Sequence, residues 1–248
     1  ALVNAGASVT VPARRPDKAR EELAGIGAEV AALDLADLKS VKAFADSYVA
    51  TGNPLHILIN NAAIMANPET RVGPQNWESQ FATNHLGHFA LVAGLAPALK
   101  AANGARVVSV SSTGHKLSPI VFDDIHFASR PYNKWLAYGQ AKTANALFAV
   151  ELDRRGQSHN VRAFAIHPGG IMTPLQRYLP KEEMIASGWM DAEPEVEEIR
   201  PTYYVVNEDG DQPEKREFCV THGIEYVVMR RLPHAGLPAR SSTELRGF

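Results

Sequence analysis

A doubly wound α/β fold with a parallel sheet is what the sequence predicts, and three observations carry the prediction. Short apolar runs alternate with helix-forming stretches, the order expected of parallel βαβ units with right-handed crossovers. The apolar runs lack polar alternation, as strands do when both sheet faces are covered. Polar and Gly/Pro motifs fall at the C-terminal ends of these runs, where ligands bind in an open α/β sheet.

Taken in order, residues 1–8 read as a helix end with Gly6 as its C-cap, so the sequence enters a fold partway. Residues 9–12 form a first strand running into Arg14 and Arg15, and residues 16–23 a helix with Pro16 at an early position. Residues 28–33 form a second strand ending at Asp34 and Leu35. A helix over 39–48 leads to a third strand, 55–59, ending at Asn60-Asn61-Ala62-Ala63. Residues 77–99 read as one long helical stretch containing Asn84. A fourth strand, 106–110, ends at Ser111 and Ser112. A loop over 113–134 precedes the helix of Tyr138, and a fifth strand, 161–166, ends at His167-Pro168-Gly169-Gly170.

The chain is organised around Tyr138-Gly139-Gln140-Ala141-Lys142. On a helix, Tyr138 and Lys142 share one face, a turn apart, and the following residues are strong helix formers. Ala144, Leu147, Phe148 and Leu152 mark the core-facing stripe. A phenol titrates near ~10, and a nearby cation favours the phenolate. Such a pair suits proton transfer to or from an alcohol oxygen, although two residues at this spacing also occur by chance.

The other strand-end motifs each have two readings. Arg14 and Arg15 suit a nucleotide 2′-phosphate, or are solvated charges before a helix. Asp34 accepts from an adenine amino group, or caps a turn. Asn60 and Asn61, followed by small residues, admit a flat ligand close to the backbone, or form an Asn-rich turn. Asn is a poor helix former, so Asn84 holds a water or opens a helical hydrogen bond. His85 and His88 lack a third ligand at metal spacing and read as structural, so no metal site is expected. Ser111 and Ser112 have no Gly-x-Ser-x-Gly setting, which argues against a serine nucleophile. A hydroxyl there can hold a carbonyl oxygen beside the phenol.

With 248 residues, 45% hydrophobic and 21% charged, the chain suffices for one sizeable globular core. Its net charge of -2 gives no electrostatic case for nucleic acid or an anionic membrane. The single cysteine, Cys219, precludes an intrachain disulfide and fits a reducing compartment, so a cytoplasmic location is expected. No apolar run reaches membrane-span length, and no signal-peptide pattern opens the chain.

Together, Asn60-Asn61-Ala62-Ala63, Asn84-His85-Leu86-Gly87-His88-Phe89, Val108-Ser109-Val110-Ser111-Ser112, Tyr138-Gly139-Gln140-Ala141-Lys142 and His167-Pro168-Gly169-Gly170 resemble the short-chain dehydrogenase/reductase family, in its order. The Asn84–Phe89 stretch and the long loop before Tyr138 look most like the retinol-dehydrogenase-like branch and its bacterial relatives. The resemblance implies a Rossmann-like doubly wound parallel sheet over residues 1–191, with an atypical tail over 192–248. It implies Tyr138 as catalytic acid/base, Lys142 as the group that lowers its pKa and holds the nicotinamide ribose, Ser112 as the substrate-orienting hydroxyl and Asn84 as the holder of a relay water. For the cofactor it implies Arg14, which favours NADP over NAD, the adenine contacts Asp34 and Leu35, the ribose run Asn61, Ala62 and Ala63, and Pro168, Gly169, Ile171 and Thr173 against the nicotinamide and phosphates.

Three departures from the family pattern stand out. Ala63 replaces the usual Gly. The family's first strand and Gly-rich phosphate loop belong before Ala1, and no such glycine run occurs in the sequence; the absent strand would lie between those at residues 9–12 and 55–59, leaving two unpaired inner edges. The tail does not read as the family's last helix and strand. Residues 193–198 are acidic, 207–215 are turn-rich, and the strand-like residues 224–229 are expected to fill the central slot. The resemblance thus implies an NADP(H)-linked oxidoreductase acting on a small carbonyl or alcohol substrate and forming a homo-oligomer. The rival is a truncated, non-catalytic remnant acting as a binding or interaction protein. A sugar-nucleotide epimerase shares the Tyr-Lys pair but not the other motifs.

Overall fold

The computed structural model describes residues 2–169, 173–186, 203–207, 211 and 213–229. The chain divides into two compact units, residues 2–179 and the residues from 180 onward. In the first unit, β1 (Thr10–Ala13) pairs in parallel with β2 (Glu29–Ala32). β3 (Ile57–Asn60), β6 (Arg106–Val110) and β7 (Arg162–Ile166) form a second parallel sheet in the order β3-β6-β7. The Rossmann-like α/β arrangement is therefore present, with β1 and β3 in different sheets, where the sequence places a gap. Ile57 and Ile59 of β3 are each 49% exposed, and Phe164 and Ile166 of β7 are exposed on the same sheet face, which the described residues leave uncovered.

The helices cover these strands. α1 (Pro16–Glu22) starts on Pro16 and buries nothing fully. α2 (Leu38–Ala50) is capped by Asp37, whose carboxylate accepts from the Lys39 amide, and it buries Val41 and Ala45. These pack with Leu33, Leu35, Leu91 and Leu95, each such side chain contributing about 1.5–3 kcal/mol by leaving water. A second cluster joins Val92, Leu99, Ala105, Val107, Val161 and Ala163 beneath the β3-β6-β7 sheet. Gly6 ends the short helical turn Val3–Ala5 in the left-handed region, as a C-cap does.

Residues 77–99 are not one helix. β5 (Trp77–Glu78) pairs antiparallel with β4 (Arg71–Val72), and the Glu78 carboxylate then accepts from the Gln80 and Phe81 amides to start α3 (Ser79–Phe81). A π turn over Ala82–Leu86 follows, with the Gly87 amide donating to Ala82, before α4 (Gly87–Ala101). The capping carboxylate and the π turn are what apolar periodicity alone cannot register.

From residue 180 onward, the described elements are α6 (Lys181–Ala186), β8 (Tyr203–Asn207), α7 (Pro213–Thr221) and β9 (Glu225–Met229). β9 pairs in parallel with β8, in a two-stranded sheet of their own. The expectation that residues 224–229 fill the slot between β1 and β3 is thereby corrected: the preceding run Tyr-Tyr-Val-Val is its strand partner. The acidic run 193–198 lies outside the described residues. Among those described, no helix is long and apolar enough to cross a membrane.

Candidate active site

Tyr138 and Lys142 lie on α5 (Lys134–Gly156), which begins where the Asn133 side chain accepts from the Trp135 and Leu136 amides. The two share a face as the spacing predicts, but that face is covered: Tyr138 is 3% and Lys142 2% exposed. Of the core-facing stripe expected over Ala144, Leu147, Phe148 and Leu152, Ala144 is buried and Phe148 and Leu152 pack against the core, while Leu147 is exposed. Phe148 is half-buried against Phe89 and His85, while Ala137, Ala141, Ala144 and Ala149 are buried. Small residues let the helix approach its neighbours closely on both sides.

The end of β6 meets this face. The Lys142 ammonium donates to the Val110 carbonyl at 2.9 Å, and Ser111 Oγ donates to the Lys142 carbonyl at 2.8 Å. Asn145 Nδ2 adds a bond to Val110 at 3.2 Å. Ser112 is buried beside Tyr138: a Cβ built on Gly114 would lie within 3.4 Å of both Ser112 Oγ and the Tyr138 ring. Ser112, Tyr138 and Lys142 are thus brought together around the last residues of one strand.

Burial pushes the Tyr138 phenol above its ordinary value, and the bond with Ser112 opposes that rise. Lys142 is not among the groups drawing the phenol down: its Nζ sits 5.5 Å from the ring centroid and is committed to Val110. Burial also draws the Lys142 ammonium down to about 8, close to neutral pH.

Asn84 sits, buried, within the π turn. Its side-chain amide is fully engaged: Oδ1 accepts from the Ile64 amide and Nδ2 donates to the Ile64 carbonyl, both at 2.9 Å. The opened helical bond expected at Asn84 is present, and it ties the turn to the segment after β3. His88 Nδ1 donates to the Asn84 carbonyl at 3.0 Å. Burial holds His88 down to about 4, with Lys142 and His85 adding to the effect.

The nucleotide-side residues lie on other strand ends. Arg14 and Arg15 follow β1, both exposed. Asp34 Oδ1 accepts from the Ala36 amide at 2.9 Å, the turn-capping role. Leu35 is a core side chain, and its carbonyl lies against Gly87 at the start of α4. Asn61 and Ala62 are exposed after β3, and Ala63 is half-buried. Asn60 is buried, and its Oδ1 has no hydrogen-bond partner. Pro168 and Gly169 are exposed beyond β7. Thr173 caps a short turn in a reciprocal bond with Gln176. Ile171 lies outside the described residues.

Sequence reasoning missed the groups that lock these elements together. Fully buried Gln80 accepts from the Ala66 amide and donates to Tyr132 and the Lys134 carbonyl. Fully buried Gln140 accepts from the Val121 amide and donates to the Ile125 carbonyl. Their one sequence signal is a polar residue amid core-forming helix positions.

A family model described as short chain dehydrogenase matches residues 1–184. A protein of Streptomyces antibioticus described as "Probable oxidoreductase" is 46% identical over 217 residues, spanning 85% of this chain and 71% of that protein. Retinol dehydrogenase 12 of Mus musculus is 43% identical over 145 residues, spanning 58% of this chain and 45% of that protein. A crystal structure of an uncharacterised protein from Mycobacterium paratuberculosis aligns with TM-score 0.63 at 42% identity, covering 71% of this chain and 64% of that one.

Proposed function

Because the chain belongs to the short-chain dehydrogenase family, we propose that it is an oxidoreductase acting on a small-molecule carbonyl or alcohol with NADP(H), and that Tyr138 is its general acid/base. The observation that carries this reading is the burial of Ser112, Tyr138 and Lys142 around the end of β6. A phenol, a hydroxyl and an ammonium in one water-poor place have few uses besides moving a proton at an oxygen.

The residues present fit a nicotinamide dinucleotide. Arg14 and Arg15 offer cations at a strand end without an ion-pair partner among the described residues, and the buried Asn60 Oδ1 lacks a partner. Arg14 would hold the 2′-phosphate, and Asp34, Leu35, Asn61, Ala62 and Ala63 the adenosine. Lys142, Pro168, Gly169, Ile171 and Thr173 would hold the nicotinamide end. When bound, the nicotinamide supplies or accepts the hydride.

The chain's own groups handle the proton. Ser112 orients the substrate oxygen by hydrogen bond, and Tyr138 gives that oxygen its proton in reduction or takes it in oxidation. Lys142, with a value of about 8, exchanges protons near neutral pH and resupplies the phenol. Asn84 positions the path beyond Lys142. Phe89, Leu147 and Val150 form an exposed apolar face on α4 and α5, which favours a homo-oligomer, to be checked by light scattering.

Nicotinamide fluorescence during NADPH titration tests the reading. Saturable binding, tighter than for NADH, and NADPH consumption with an aldehyde or ketone are expected. No binding at millimolar NADPH would overturn it.

A further inference from the structure

Ser112 is held by more than its place on a strand end. The Gly114 amide donates to Ser112 Oγ at 3.1 Å. The Ser112 carbonyl accepts twice from His115, from its amide at 3.1 Å and from imidazole Nδ1 at 2.6 Å. The turn Thr113–Leu117 that carries both residues is tied in turn to α5. Thr143 Oγ1, next to Lys142, has its one proton within reach of two carbonyls, those of His115 at 2.8 Å and Ser118 at 2.7 Å.

The turn also lies against the tyrosine. A Cβ on Gly114 would sit 2.9 Å from Tyr138 Cε1, 3.0 Å from Cδ1 and 3.4 Å from Ser112 Oγ. One on Gly139 would sit 2.8 Å from the Gly114 carbonyl. Glycine at both positions lets backbone lie flat on the ring and on the helix, where real side chains do not fit.

We propose that Gly114 and His115 are positioning residues that grip Ser112 by both its oxygens, so that its hydroxyl proton is directed at the Tyr138 oxygen and the reacting oxygen beside it. A serine hydroxyl has two acceptor sites and one proton. The Gly114 amide fills an acceptor site, and the doubly bonded carbonyl fixes the backbone from which the hydroxyl rotates. One acceptor site and the proton remain, and donation of that proton stabilises a phenolate or an oxyanion. In agreement, the Ser112 contact is the one influence that draws Tyr138 downward against its burial. His115 Nδ1 bonds a carbonyl, so it carries the proton in either charge state.

Among the described residues, Arg130 bonds Gln140 on the helix of Tyr138 and pairs with Asp124. Lys142 shares the helix, Lys116 lies on the turn, and His85 and His88 face from the π turn and α4. Glu78, at the start of α3, is taken by the Gln80 and Phe81 amides. β6 and β7 carry Arg106 and Arg162 at their far ends.

This inference rests on the oxidoreductase reading for its catalytic meaning, so its test includes a measurement that needs no turnover. Tyrosines in the full chain are labelled with 13C at Cζ and titrated by NMR, and Tyr138 is assigned among the 7 tyrosines by Tyr138→Phe. His115→Ala is expected to move the Tyr138 midpoint upward by about one pH unit, the scale of one hydrogen bond to a charged form. His115→Asn, whose amide nitrogen takes the place of Nδ1, is expected to restore it. In alcohol oxidation the rising limb of kcat/KM is expected to move upward with the midpoint, while the NADP dissociation constant stays constant. A midpoint unchanged in His115→Ala, or equal in His115→Ala and His115→Asn, would overturn the proposal. Lack of NADP binding and turnover by the unaltered chain would instead overturn the oxidoreductase reading.

Discussion

Two regions of the first unit differ in how they hold their functional residues. Around β3, β6 and β7, with α4 and α5, polar side chains are buried and bonded: Ser111 to Lys142, Lys142 to Val110, Asn84 to Ile64. Around β1, β2 and α1, the strands are at most half-buried, α1 buries nothing fully, and Arg14 and Arg15 stand in solvent. In the first region a residue's chemistry is inseparable from its contribution to folding. In the second, a residue can act on a ligand without bearing on the core. Under the proposed function, the difference is that proton-transfer groups are held desolvated with fixed partners, whereas a phosphate-binding cation would work from the surface.

The sharpest break of this contrast is Tyr138→Phe. It keeps the ring packing and removes the proton, so turnover is expected to fall by about 10²–10⁴-fold with the NADP dissociation constant unchanged; steady-state rates with fluorescence titration measure both. Next comes Glu78→Ala, which leaves the buried Gln80 and Phe81 amides without their acceptor. A loss of about 2–4 kcal/mol in denaturant unfolding is expected. Burial raises the Glu78 carboxyl, so the folded state holds its proton to higher pH than the unfolded chain does. Its titration therefore favours folding at low pH, and that contribution fades as pH rises through the folded value.

Lys142 has the opposite sign. Its folded value of about 8 lies below the ordinary 10.5, so the unfolded chain binds more protons between those values. Stability is expected to rise with pH across that window, and at neutral pH the buried ammonium costs folding energy. Lys142→Met is expected to stabilise the chain by about 1–3 kcal/mol at pH 7, to abolish that pH dependence and to remove most activity. The Val110 carbonyl keeps Asn145. Unfolding curves at pH 7 and 10 check this.

The smallest expected effect tests the second region. Arg14→Ala should weaken NADPH binding by about tenfold, or about 1.4 kcal/mol, bring its affinity near that of NADH, and leave stability within about 0.5 kcal/mol. A stability loss as large as that of Glu78→Ala would erase the distinction between the regions.

The sequence by itself determined the order of the five main strands and the helices between them, except over residues 71–86, together with the shared face of Tyr138 and Lys142 and the placing of Ser112, Asn60 and Asn61 at strand ends. These follow from apolar runs, helix spacing and turn residues, which are local properties of a chain. Tertiary structure alone decided that the Tyr138 face is covered, that Lys142 reaches Val110, that Glu78 interrupts the stretch 77–99, that residues 224–229 pair with Tyr203–Asn207, and that a turn at Gly114 and His115 grips Ser112. Each depends on a hydrogen bond or a desolvated contact between groups that periodicity does not relate. Burial, the quantity that governs the charge of both Tyr138 and Lys142, exists only once the distant segments have packed.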